Sequence, residues 1–198
     1  MNKKLKKNII EYGLFALVVL GIYFSGLHTE IIGFAQRGLL ATGAMNPDVE
    51  QIQKNAETSE LGATKADFRM KLVNSKGEKV SMEQYRGKVI FINFWATWCP
   101  PCVAEMPGIN EMYNAIDKDK IEVLMISFDR KFEKAIQYKN KNNFNFEVYT
   151  PASAIPSMYE SQSIPTTYVI NSKGELVFTH KGMADYNRPD FKEFLKSL

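Results

Sequence analysis

The chain has 198 residues, 45% of them hydrophobic and 24% charged, with a formal net charge of +3. This is the composition of an ordinary folded protein, and four lysines before residue 8 account for its basicity: without them the rest carries −1, which does not support a nucleic-acid surface. The two cysteines are too few for a disulfide scaffold or a four-cysteine zinc site, and His28 and His180 lie far from them in sequence.

Residues 1–28 read as a cytoplasmic tail and a membrane anchor. From Ile9 to Leu27 the run is 19 residues long, about the length that crosses a ~30 Å hydrocarbon core. Glu11 falls at the edge of that span. Lys3, Lys4, Lys6 and Lys7 keep their end in the cytoplasm, so the following chain is expected outside it, in the periplasm. A cleaved signal peptide is the rival reading. Ser25-Gly26-Leu27-His28 is a poor cleavage site, so an uncleaved single-pass anchor is expected. Residues 29–62 read as a juxtamembrane segment and linker. Ile31 to Leu40 is mildly amphipathic and predicts a helix near the membrane surface. Pro47 breaks it, and Asp48 to Glu60 is polar, a helical or loose linker.

Residues 63–198 read as one globular domain. Asp67 to Val73 alternates like a strand, Asn74-Ser75-Lys76-Gly77 is a turn signal, and Glu78 to Ser81 returns as a hairpin. Ser81 to Tyr85 has the pattern of a capped helical turn. Val89 to Trp95 is almost continuously apolar, as in a strand covered on both faces, with Phe91, Phe94 and Trp95 in the core. It runs into Cys99-Pro100-Pro101-Cys102. A helix follows over Val103 to Ile116, with Val103, Met106, Ile109, Met112, Tyr113 and Ile116 on one stripe and a kink expected at Pro107. Then come a strand (Ile121 to Phe128), a helix (Arg130 to Asn142), a short strand (Asn145 to Tyr149) and a short helix within Pro151 to Gln162. The strand Thr166 to Ile170, the turn Asn171 to Gly174 and the strand Glu175 to His180 follow. A helix over Arg188 to Leu198, with Pro189 in its first turn, closes the chain. Such alternation implies an α/β domain with a mixed sheet, parallel where helices intervene and antiparallel at the last hairpin.

A cysteine pair at the start of a helix meets unpaired N–H groups and partial positive charge, which stabilise a thiolate, the nucleophilic form. The bland alternative is a static disulfide, but so short a loop constrains the unfolded chain little. Phe94-Trp95-Ala96-Thr97-Trp98-Cys99-Pro100-Pro101-Cys102, together with Ser163-Ile164-Pro165-Thr166-Thr167 before a strand, resembles the TlpA/ResA type of membrane-anchored thiol–disulfide oxidoreductase in the thioredoxin superfamily. The resemblance covers about residues 63–198. It implies a thioredoxin-like fold with an N-terminal β-hairpin and a central insertion.

The resemblance also implies roles. Cys99 is the exposed attacking sulfur and Cys102 resolves the mixed disulfide. Pro165 is cis in a loop facing the cysteines, where the backbone of Ile164 pairs with bound substrate. Trp98 forms an apolar rim, and Pro100 and Pro101 stiffen the turn while denying Cys99 an N–H donor. No His stands between the cysteines, unlike DsbA-like oxidants, which leans towards a reductant. Asn93 replaces the buried Asp common in thioredoxin itself. Glu105, matching a Glu of ResA-type proteins, lies on the same helix face as Cys102 and is expected to tune thiol pKa and carry the proton. His180 reads as structural. The implied activity is reduction of exported protein disulfides, cytochrome c maturation included, with electrons from a membrane thiol donor. No cofactor beyond the Cys99–Cys102 disulfide and no metal are called for. A thioredoxin-fold peroxidase and a copper(I) chaperone remain alternatives. The first relies on a cysteine in another local setting, the second on wider Cys spacing and an added His.

Overall fold

The computed structural model describes residues 3–25, 27–40, 42–43, 46–47 and 64–198; the linker reading over 48–60 lies outside them. Two helices come first, α1 (Lys3–Phe24) and α2 (Leu27–Leu40). Then follow β1 (Lys71–Asn74), β2 (Lys79–Ser81), β3 (Val89–Trp95), α3 (Pro100–Ala115), β4 (Ile121–Ser127) and α4 (Phe132–Lys141). β5 (Val148–Pro151), β6 (Thr166–Ile170), β7 (Leu176–Lys181) and α5 (Pro189–Ser197) complete the chain. All seven strands form one mixed sheet, ordered β2-β1-β5-β4-β3-β6-β7. β3, β4 and β5 run parallel, joined through helices, while β6, β7, β1 and β2 add antiparallel ladders.

β3 lies beneath helices on one face and loops on the other, so its two alternating rows are both buried. Val89, Phe91 and Trp95 pack with α3 and α5, whereas Ile90, Ile92 and Phe94 pack with Met70, Leu72, Tyr159 and Tyr168. Phe91 meets Tyr186 and Phe191 edge-on at 5.1 and 6.1 Å, contacts worth about 0.5–1.5 kcal/mol each beyond burial. Asn93 belongs to the row that faces α3, where it is fully buried.

Local polar chemistry shortened several predicted elements. The strand expected from Asp67 begins at Lys71, because Asp67 Oδ1 accepts from the Arg69 backbone N–H and turns the chain aside. The strand expected from Asn145 begins at Val148, since the Asn145 N–H donates to Asn110 Oδ1 on α3 rather than to a ladder. The helix expected within 151–162 is a single 3-10 turn, Ser157–Tyr159. The turn Met82–Tyr85 is also 3-10, and Ser81 supplies no side-chain cap. α3 starts at Pro100 and continues through Pro107.

The N-terminal expectation changes in form. Among the described residues no single helix is long and apolar enough to cross a membrane. The apolar run predicted to span from Ile9 to Leu27 is broken between Phe24 and Leu27, and the segments on either side meet at 79°. α2 then packs directly on α3. A Cβ at Gly33 would stand 3.1 Å from Val103 Cγ1 and 3.2 Å from the Pro100 carbonyl oxygen, so any side chain there would press the two helices apart by a few tenths of an ångström. Leu40 is buried with Ala104 and Met183, and Glu30 pairs with Lys141 of α4 at 2.6 Å.

Candidate active site

The central strand delivers its C-terminal end to the cysteines. Cys99 caps α3, and Pro100 and Pro101 fill the first helical positions, where a missing N–H costs nothing. Cys99 and Cys102 form a disulfide. The Cys102 backbone N–H donates to Cys99 Sγ at 3.3 Å. This orphan donor of the helix end gives a sulfur anion at Cys99 a partner.

Opposite lies the loop before β6. The Ile164–Pro165 bond is cis, and the Ile164 carbonyl oxygen lies 3.7 Å from Cys99 Sγ. Cys99 is not the open sulfur expected: in the disulfide form it is only 4% exposed, held between Cys102 and this loop. Trp98 beside it is 59% exposed, and Trp95 is in the core. Asp129, just past β4, supports the loop carrying Trp98. Its carboxylate accepts from the Thr97 N–H at 3.0 Å, the Thr97 hydroxyl at 2.7 Å and the Ser127 hydroxyl at 2.9 Å.

Beneath the cysteines a polar cluster interrupts the core. Asn93 Nδ2 donates to Glu105 Oε1 at 2.7 Å and to Thr167 Oγ1 at 3.0 Å. The Ala184 N–H donates to Glu105 Oε2 at 3.3 Å. Burial pushes the Glu105 carboxyl from 4.5 to about 8, with the Asn93 and Ala184 hydrogen bonds pulling the other way. Glu105 is therefore neutral at pH 7 in the disulfide form and can exchange a proton near physiological pH. Burial and the neighbouring Glu105 also push the Tyr186 hydroxyl well above its ordinary value. A groove of about 380 Å³ skirts this cluster, lined by Glu105, Pro107, Glu111 and Ala184, with Arg37 and Leu40 contributed by α2.

Sequence reasoning assembled Cys99, Cys102, Glu105, Trp98, Pro100, Pro101, Ile164 and Pro165, and the fold brings all eight to one end of β3. It missed Thr167, Asp129 and Ala184, and it placed the helix over Ile31 to Leu40 near the membrane surface without seeing that it packs beside the site. Thr167 was recoverable, because it lies directly across from Asn93 once β6 is set beside β3. Nothing local marks Ala184, whose backbone reaches Glu105 across 79 residues. His180 is partly buried in β7, 6.3 Å from the Phe178 ring, and its pKa is lowered by burial. No group of three or more metal-ligating side chains occurs among the described residues.

A cysteine pair capping the helix after a central strand, faced by a cis-proline loop, defines a thioredoxin-fold protein with a redox-capable thiol pair. The chain belongs to the AhpC/TSA family, which matches residues 61–179. It is 33% identical over 124 residues to a thioredoxin-like protein YneN of Bacillus subtilis, covering 61% of this chain and 71% of the relative. It is 32% identical over 117 residues to a thiol-disulfide oxidoreductase ResA of Geobacillus kaustophilus, covering 59% and 66%. Among solved structures it resembles the exposed lipoprotein thioredoxin Etrx1 of Streptococcus pneumoniae, at a TM-score of 0.54 and 25% identity, covering 65% and 98%.

Proposed function

We propose that this protein is a thiol–disulfide oxidoreductase that reduces disulfides of exported proteins, cytochrome c precursors among them. It is held on the outer side of the cytoplasmic membrane by its N-terminal helices, α1 and α2 together, and recharged by a membrane thiol donor. The carrying observation is the Cys99–Cys102 disulfide at the N-terminus of α3, with the Ile164 carbonyl beside it and Glu105 one turn beyond. The names of the ResA relative and the exposed lipoprotein thioredoxin support the activity and the location. The lysine-flanked apolar α1, whose Leu14, Phe15 and Leu17 are all exposed, supports the anchor.

In the reduced protein, Cys99 thiolate attacks one sulfur of the target disulfide. A Cys99–target bond forms, and the other target sulfur leaves as a thiolate that takes up a proton. Glu105, on the same helix face and able to titrate near physiological pH, takes the Cys102 proton in its ionised form. The Cys102 thiolate then attacks Cys99 Sγ, re-forming Cys99–Cys102 and releasing the second target thiolate. Two electrons have moved to the target; each released thiolate takes its proton from water, and the Cys102 proton stays on Glu105. An unpaired edge at the Ile164 carbonyl gives the target backbone a partner in this step.

Cys102→Ser removes the resolving sulfur and should trap discrete mixed disulfides on Cys99 in the native compartment. A folded variant that traps nothing overturns the proposal.

A further inference from the structure

α2 presents two unlike faces. Thr29, Gly33 and Leu40 are buried towards the thioredoxin domain, with Gly33 seated on Pro100 and Val103 of α3. Leu27, Ile31, Phe34, Ala35 and Gly38, spaced at helical intervals, point away and are exposed, Phe34 by 73%. No charged side chain lies on that outward row. Glu30 is at the flank, paired with Lys141, and Arg37 lies over the Phe34 ring at 5.8 Å. A helix facing water carries polar residues on its outer face, so this apolar row is fitted to another phase.

The connection identifies that phase. Only two residues separate α1 from α2, a reach of roughly 7–10 Å, so with α1 inserted as in the anchored reading, α2 starts at the outer end of α1. The 79° turn lays it across the direction of α1. We propose that the outward row of α2 lies in the outer lipid interface, and that α2 holds the N-terminal end of the catalytic helix at the bilayer surface. A helix is about 10–12 Å across, and that is the whole separation between Pro100 or Val103 and the lipid. The disulfides served are therefore those of membrane-bound chains, or of chains still close to the membrane. This inference rests on the anchored reading above and adds the orientation of the site and the class of target.

The test uses the full chain with Cys99→Ser and Cys102→Ser, carrying one nitroxide at Phe34→Cys, in vesicles of phosphatidylcholine and phosphatidylglycerol. Collisions with a water-borne nickel chelate should be several-fold rarer at residue 34 than at a reference label on Lys79→Cys, an exposed position of β2. Collisions with lipid-dissolved oxygen should be more frequent. Nickel access equal to the reference places α2 in water and overturns the inference. Exclusion of both reagents places a protein there, a second copy included, and also overturns it. An alkaline wash separates the two readings. If the chain stays with the vesicles while residue 34 is in water, the anchor stands and this orientation falls. If the chain washes off, the anchor itself has failed and the inference with it. On the same vesicles, pre-reduced native chain should reduce a disulfide peptide held to a lipid headgroup by a short linker. A reaction seen only with long linkers sinks the surface placement of Cys99, because a linker too short to span two sites gives no effective concentration.

Discussion

Replacing Glu105 with Gln should change how stability depends on pH, because the amide cannot ionise. In the oxidised folded chain the carboxyl stays protonated up to about pH 8, while in the unfolded chain it ionises near 4.5. Its folded pKa is the higher one, so the folded state binds more protons between these values. Stability is complete below about pH 4.5 and is lost as pH rises through 8. Each pH unit in that window removes about 1.4 kcal/mol, or about 5 kcal/mol across it. Glu105→Gln abolishes this slope. It also turns one of the two side-chain contacts, to Asn93 or to the Ala184 N–H, into donor against donor, at a cost of about 1 kcal/mol at every pH. The variant should thus be about as stable as the native chain at pH 5 and more stable by roughly 3–4 kcal/mol at pH 8. Urea unfolding of both oxidised full chains in micelles, at pH 4, 5, 6, 7 and 8, measures the crossing near pH 5. Two parallel curves would show that Glu105 titrates like an exposed carboxyl, and its assignment as a buried proton acceptor would be wrong.

Asn93→Leu removes the stronger of the two hydrogen bonds that hold the Glu105 carboxyl down, so its pKa should rise further, read by carbon-13 shifts of the labelled carboxyl. Asp129→Ala strips two hydrogen bonds from Thr97 in the loop before Trp98 and one from Ser127 at the end of β4; urea unfolding should show a loss of about 2–3 kcal/mol. Phe91→Ala empties the fully buried site under Tyr186 and Phe191, and should lose about 3–5 kcal/mol in the same assay. Trp98→Ala should leave stability within about 0.5 kcal/mol, as an exposed position does. It should slow reduction of a protein disulfide more than that of a small aromatic disulfide, and equal slowing would remove Trp98 from target contact. Peroxide consumption by the reduced chain should be negligible beside its disulfide reduction; comparable rates would favour the peroxidase alternative.

The strands around the site were legible because their chemistry is local. The apolar run from Val89 to Trp95 needs cover on both faces, and helix periodicity after Cys102 places Glu105 without knowledge of the fold. The shortened elements were not legible for the opposite reason. Arg69 donating to Asp67, and Asn145 donating to Asn110, spend backbone donors on partners that a hydrophobic pattern does not record. The buried state of Cys99 depends on the Ile164 loop, 65 residues away. The fold of α2 onto α3 was hidden as well, because the only local trace of it is a glycine at position 33.

The pairing of Asn93 with Thr167 has a consequence for alignment. These residues sit directly opposite each other across the antiparallel β3–β6 ladder, joined through Asn93 Nδ2. A shift of β6 by one residue would turn Thr167 to the far face of the sheet. A shift by two would bring Pro165 or Val169 opposite Asn93 and leave its buried amide with one partner fewer. An apolar pair at this point would tolerate such a slip far better. The polar contact therefore works as a register pin: it fixes how far β6 extends, and so the height at which the Ile164–Pro165 loop meets the cysteines. The group that holds Glu105 also sets the width of the cleft above it.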